Sequence, residues 1–149
     1  MKKNYKVIPE SAVHFITSNI NEKTGVSSVV LEYKKELYKG MAVFNPQDIE
    51  DWGVSFSRFF GCQIAESRAY LKILKKELSE RKKKYKIIKD FLVGVFNAKA
   101  FSSNSPVAKL IYHQLAIEEQ KITCLREEIA AIRHNIPELV NLYYNSWAN

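Results

Sequence analysis

Arg68, Lys75, Lys82 and Lys89 recur at intervals of seven residues, and Arg126 and Arg133 repeat that interval further along the chain. On a helix a seven-residue step returns to nearly the same side, so each set forms a cationic stripe. Guanidinium groups grip phosphate through two parallel N–H donors, while ammonium groups add point charge. If the two stripes face each other, Arg68 lies near Arg133 and Lys75 near Arg126. Like charges held that close are destabilising, and a bound anion would relieve them. The plainer alternative is a solvated flank whose charges splay apart.

Phe96 and Phe101 stand near Asn97 and Asn104. Aromatic rings stack nucleobases and an Asn amide can read a base edge; the same residues would equally serve to close the end of a helical core. The candidate ligand-binding set is therefore Arg68, Lys75, Arg126 and Arg133 for phosphate, with Phe96, Phe101 and Asn104 for a base. Catalytic signatures are missing: there is no Gly-rich phosphate loop, no GxSxG and no HExxH. His14, His113 and His134 are scattered, and Asp48, Glu50 and Asp51 read as a helix start favoured by the macrodipole. Cys62 and Cys124 form no CxxC pair, which argues against a zinc site or a disulfide scaffold and suits a reducing cytoplasm. No enzyme activity, metal or cofactor is expected.

The elements that position these residues follow from periodicity. Ile64, Ser67, Leu71, Leu74, Leu78, Arg81, Tyr85, Ile88, Leu92 and Val95 recur at three- and four-residue spacing, predicting a helix from about Phe60 to Asn97. After a loop ending in SSNSP, with Ser105 as cap and Pro106 in the first turn, Ile111, Leu115, Glu118, Ile122, Leu125, Ile129, Ile132 and Ile136 repeat the pattern. Pro137 is expected to interrupt, leaving ELVNLYYNSWAN as a short terminal helix with an aromatic face. The short loop favours an antiparallel hairpin with Leu71 opposite Ile132, Leu74 opposite Ile129, Leu78 opposite Leu125 and Tyr85 opposite Glu118. Arg81 then falls one layer from Glu118, so the buried polar residues cluster. Pairing of each helix with another subunit is the alternative.

In that register one flank carries Tyr70, Glu77, Lys84 and Phe91 against Gln114, Lys121, Glu128 and Asn135, and its charges cancel. The other carries Arg68, Lys75, Lys82 and Lys89 against Tyr112, Glu119, Arg126 and Arg133, six positive charges against one negative. Upstream, AVHFITSNI (Ala12–Ile20), VSSVVLEY (Val26–Tyr33) and LYKGMAVF (Leu37–Phe44) are rich in β-branched and aromatic residues and predict a three-stranded antiparallel meander. NPQD, from Asn45, opens a short helix through Trp52. The fold class is α+β: residues 1–52 form a β meander with a short helix, and residues 53–149 form a coiled-coil-like helical hairpin and terminal helix, as one cooperative unit.

Composition bounds the partners. The chain has 149 residues, 46% of them apolar, and a net charge of +7, which suits an anionic partner. It shows neither a signal-peptide h-region nor a run long enough to span a membrane. The expectation is a soluble intracellular protein.

The stretch YKGMAVFNPQDIEDWG…FFGCQIAESRAYLKILKKEL resembles the Thoeris anti-defence sponge family of bacteriophages. The matching residues are Gly40, Ala42, Pro46, Asp48, Gly61, Ile64, Ala65, Arg68 and Ala69, and the resemblance covers about a third of the chain. It implies an N-terminal antiparallel sheet, C-terminal helices, and homo-oligomers that sequester cyclic ADP-ribose-type signals or cyclic oligonucleotides. It also implies that Arg68 touches the ligand. The function expected is thus a non-catalytic phage protein, working in the cytoplasm of an infected bacterium, that captures a small nucleotide immune signal. Two other classes stay open: a nucleic-acid-binding module and a coiled-coil protein-interaction module.

Overall fold

The computed structural model describes residues 6–44, 54–97 and 105–148. A 3-10 turn at Glu10–Ala12 leads into β1 (Val13–Asn21), β2 (Val26–Tyr33) and β3 (Glu36–Val43), followed by the helices α1 (Val54–Asn97) and α2 (Pro106–Ala148). The arrangement is α+β, with one antiparallel sheet of order β1-β2-β3. Each strand falls within one residue of the run that predicts it. The short helix expected from Pro46 to Trp52, with Asp48, Glu50 and Asp51, lies outside the described residues.

One expectation is corrected. Pro137 lies inside α2, and the segment expected to be a separate terminal helix is the last part of that single helix. A proline in a helix interior removes one N–H and crowds the carbonyl of Arg133, at about 3 kcal/mol. Tertiary packing offsets this. Tyr143 is 1% exposed, with its ring stacked on Phe44 at 4.6 Å and edge-on to Phe60 at 5.4 Å. At the other end Ser105 caps α2 as expected: its Oγ accepts from the Ala108 N–H at 3.1 Å.

The chain forms two compact units, Ile8–Leu74 with Glu128–Asn149, and Met1–Val7 with Lys75–Glu127. In the first, β2 buries Ser27, Val29, Leu31 and Tyr33 on one face, and β3 adds Gly40 and Ala42. α1 meets this face with Gly61, Ala65 and Ala69, spaced four apart. A Cβ on Gly40 would collide with the main chain at the Ala65 carbonyl and the Ala69 nitrogen. Only glycine permits that approach.

Two basic side chains of α1 then reach the main chain of β3. Arg68 Nη1 donates to the Met41 carbonyl at 2.7 Å, and Lys72 Nζ donates to the Lys39 carbonyl. Four helical residues rise about 6 Å and two strand residues about 6.8 Å, so one turn of α1 matches one pleat repeat of β3. Capped carbonyls on an edge strand discourage pairing with another chain.

The hairpin turns differ in strain. Asn21 Oδ1 accepts from the N–H groups of Lys23 and Thr24, and Gly25 takes the left-handed conformation at φ 74°. Between β2 and β3 the two turn residues are Lys34 and Lys35 at φ 50° and 64°. That tight turn favours Asn-Gly, and side chains in this region are strained.

Two substitutions test the packing by urea denaturation. Gly40→Ala is expected to destabilise the protein by about 3 kcal/mol, because a methyl group must displace helix backbone. Ser27 Oγ is fully buried with no hydrogen-bond partner among the described residues. Ser27→Ala should therefore leave stability unchanged or raise it by about 1 kcal/mol.

Candidate functional site

Within residues 75–127, α1 and α2 meet around a buried carboxylate. Glu118 is 0% exposed. Arg81 Nη1 lies 3.3 Å from its Oε2, Lys84 Nζ 3.3 Å from its Oε1, and Lys121 Nζ 3.9 Å from Oε1, while Gln114 Nε2 donates to Oε1 at 3.4 Å. Arg81 Nε also donates to Oε1 of Glu77, itself buried, at 3.0 Å. Burial alone would push the Glu118 carboxyl up, but hydrogen bonds and charge from Lys84 and Arg81 outweigh it and hold it below the usual carboxylate range. Burial likewise opposes the Arg81 charge, and Glu77 and Glu118 overcome it. The heptad pattern places Arg81 one layer from Glu118, and the two side chains do touch. This network satisfies its own charges, and its chemistry is to fix which layers of the two helices meet.

A second cross-helix contact lies in the sheet-bearing unit, where the Tyr70 hydroxyl donates to Glu128 Oε1 at 2.9 Å. Burial, and then the hydrogen bond and charge of Glu128, push the Tyr70 phenol well above its ordinary range.

The basic residues proposed from sequence fall two in each unit. Arg68 and Arg133 belong to the sheet-bearing unit, Lys75 and Arg126 to the other, and all four are exposed. Arg68 is also a main-chain donor to β3. Phe101, Asn104 and the ring of Phe96 lie outside the described residues.

The structure brings together a different part of the same cationic flank. Lys89, Tyr112 and Glu119, together with Tyr85, line an open groove of about 380 Å³ whose floor includes the buried Leu92 and Leu115. Lys89 Nζ stands 6.0 Å from the centre of the Tyr85 ring. Two phenol rings and an ammonium over an apolar floor can hold a flat base and an attached phosphate. Sequence reasoning missed the two tyrosines: Tyr85 reads as a core position, and Tyr112 is easily passed over among charged neighbours. A second groove of about 430 Å³, lined by Ile87, Ile88, Phe91, Leu110, Ile111 and Gln114, is almost wholly apolar.

Charge is also distributed unevenly. Of the 23 Lys and Arg, fifteen fall in Met1–Val7 and Lys75–Glu127, against six of the 16 Asp and Glu. That unit carries +9 and the sheet-bearing unit −2. Among the described residues no group of three His, Cys, Asp or Glu is placed to hold a metal, and no helix is long and apolar enough to cross a membrane. Cys62 and Cys124 are free thiols.

The Glu118 network has a pH signature. Its folded carboxyl titrates below the ordinary 4.5, so its pairing contributes above pH 4.5 and is lost as pH falls through the lower folded value. Stability measured by urea should drop below that pH. Glu118→Gln should be about 2 kcal/mol less stable near neutrality and lose less on acidification. A wild-type curve that stays flat through the acid range would contradict this assignment. Comparison with known protein families, with characterised proteins and with solved structures finds no match.

Proposed function

We propose that this protein is a non-catalytic sponge of the phage anti-defence type, which binds a small nucleotide immune signal and inhibits host defence by sequestering it. In this reading α1 and α2 pair as an antiparallel, coiled-coil-like hairpin, and copies assemble into a homo-oligomer in the cytoplasm of the infected bacterium. The observation that carries the reading is the groove of Tyr85, Lys89 and Tyr112, which lies in the unit holding the chain's excess of positive charge. Tyr85 and Tyr112 stack the base, Lys89 meets a phosphate, and Lys75 and Arg126 extend the field that draws the anion in. The groove is open, so a partner copy would have to close it around the ligand, which is the physical reason for the oligomer. The resemblance through Gly40 to Ala69 supports a sequestering role over a catalytic one.

Isothermal titration of the intact oligomer with cyclic ADP-ribose isomers and cyclic di- and trinucleotides tests this directly. One of them is expected to bind with a discrete stoichiometry. Tyr112→Ala and Lys89→Gln should each weaken that binding by about tenfold or more, as loss of a stacked ring or a charged contact requires. Absence of heat with every such ligand, or unchanged affinity in both variants, overturns the reading.

A further inference from the structure

Lys75, Lys76, Lys82, Lys83 and Lys86 are all exposed on α1. Two helical turns separate the first pair from the second, and Lys86 lies one turn beyond Lys82, so the five ammonium groups span about 16 Å of helix. The two acidic residues within this stretch differ: Glu77 is buried and bonded to Arg81, which leaves Glu80 as the exposed one. A solvated helix face normally interleaves its signs, gaining from opposite charges three or four residues apart. Here Glu80 stands at those spacings from Lys76 and Lys83, and Asp90 from Lys86. Lys82 and Lys83 also stand four and three residues from Lys86, however, so the five exposed lysines exceed their acidic neighbours and like charges repel.

We propose that this lysine face is a docking surface for the phosphate backbone of a nucleic acid, separate from the groove of Tyr85 and Tyr112. Charge complementarity selects the partner. A nucleic-acid duplex offers a negative charge about every 1.7 Å along its axis, so each of five ammonium groups spread over the face has a phosphate within reach. A bilayer-bound helix needs apolar side chains beside its lysines. Between Lys75 and Lys86 the apolar residues Leu78 and Tyr85 are half-buried, and exposed large apolar side chains begin only at Ile87. A protein partner would call for an aromatic or aliphatic anchor in the same stretch, and none is exposed there among the described residues. Backbone contacts of this kind carry no base readout, so the face binds without sequence preference. The inference does not depend on the sponge reading.

The test is fluorescence anisotropy of the full-length protein with labelled single- and double-stranded oligonucleotides of about 30 residues, over about 50 to 200 mM salt. Wild-type protein should bind at low salt, with affinity falling steeply as salt rises. The triple variant Lys82→Gln, Lys83→Gln, Lys86→Gln should bind at least about tenfold more weakly and lose about two (single strand) to three (duplex) from the logarithmic salt slope. Lys34→Gln with Lys35→Gln, in the turn between β2 and β3, should bind like wild type. Glutamine is a good helix former, and unchanged circular dichroism of the triple variant confirms that its fold is intact. No binding by wild type at the lowest salt, equal binding by the triple variant, or capture by anionic vesicles without binding to either oligonucleotide overturns the proposal. Titration of the triple variant with the small cyclic nucleotides reads the groove separately, so either idea can fail alone.

Discussion

The contact between Gly40 of β3 and the backbone of α1 at Ala65 and Ala69 is the constraint on which the sheet-bearing unit depends. With no Cβ at Gly40 and small side chains on the helix, strand and helix approach more closely than ordinary side chains allow. Closeness in turn makes the rest possible. It brings Arg68 and Lys72 within reach of the β3 carbonyls. Six of the residues on which the proposed sponge resemblance rests, Gly40, Ala42, Gly61, Ile64, Ala65 and Ala69, are all buried, and most of them belong to this contact. Arg68 is the one basic residue among them, and it is attached to the strand. A motif of this kind specifies how a helix lies on a sheet, and a ligand role for Arg68 must share the side chain with that structural bond.

The other unit is organised by charge. Glu118 sits where a leucine would complete the heptad, surrounded by cations from both helices. Buried charges of this type contribute little net stability over an apolar core, but an unpaired one is costly, so mispaired layers are penalised. The network thus selects one alignment of α1 with α2, and that alignment places Tyr85 and Lys89 beside Tyr112 in the groove. Around this ordered interior the outer lysines of α1 face solvent with few partners. The same unit therefore combines a self-compensated interior with an uncompensated exterior.

Much of this was legible in the sequence, for identifiable reasons. The strands were visible because β-branched and aromatic runs are bounded by turn residues, and heptad spacing, taken with the short loop between the helices, put Arg81 within one layer of Glu118, which it contacts. The stripe of Gly61, Ala65 and Ala69 was not recognised as an interface, because small residues give no hydrophobic signal even where packing is closest. Pro137 misled in the opposite sense. Local propensity predicted a break, whereas burial of Tyr143 against Phe44 and Phe60 holds α2 together. For the site, seven-residue spacing singled out Lys89 among the basic residues, and Lys89 does line a groove. Spacing did not show that Arg68 serves β3 or that two tyrosines border Lys89, since both depend on side-chain reach across elements.

The Tyr70 phenol adds a built-in optical probe. Burial, and then the hydrogen bond it donates to Glu128, push its ionisation to higher pH than that of an ordinary phenol. Phenolate absorbs ultraviolet light differently from phenol, so on alkaline titration this ring should ionise later than an exposed tyrosine while the helices stay paired. Delayed ionisation of a single tyrosine is then a direct gauge of how long α1 and α2 remain joined beside the sheet.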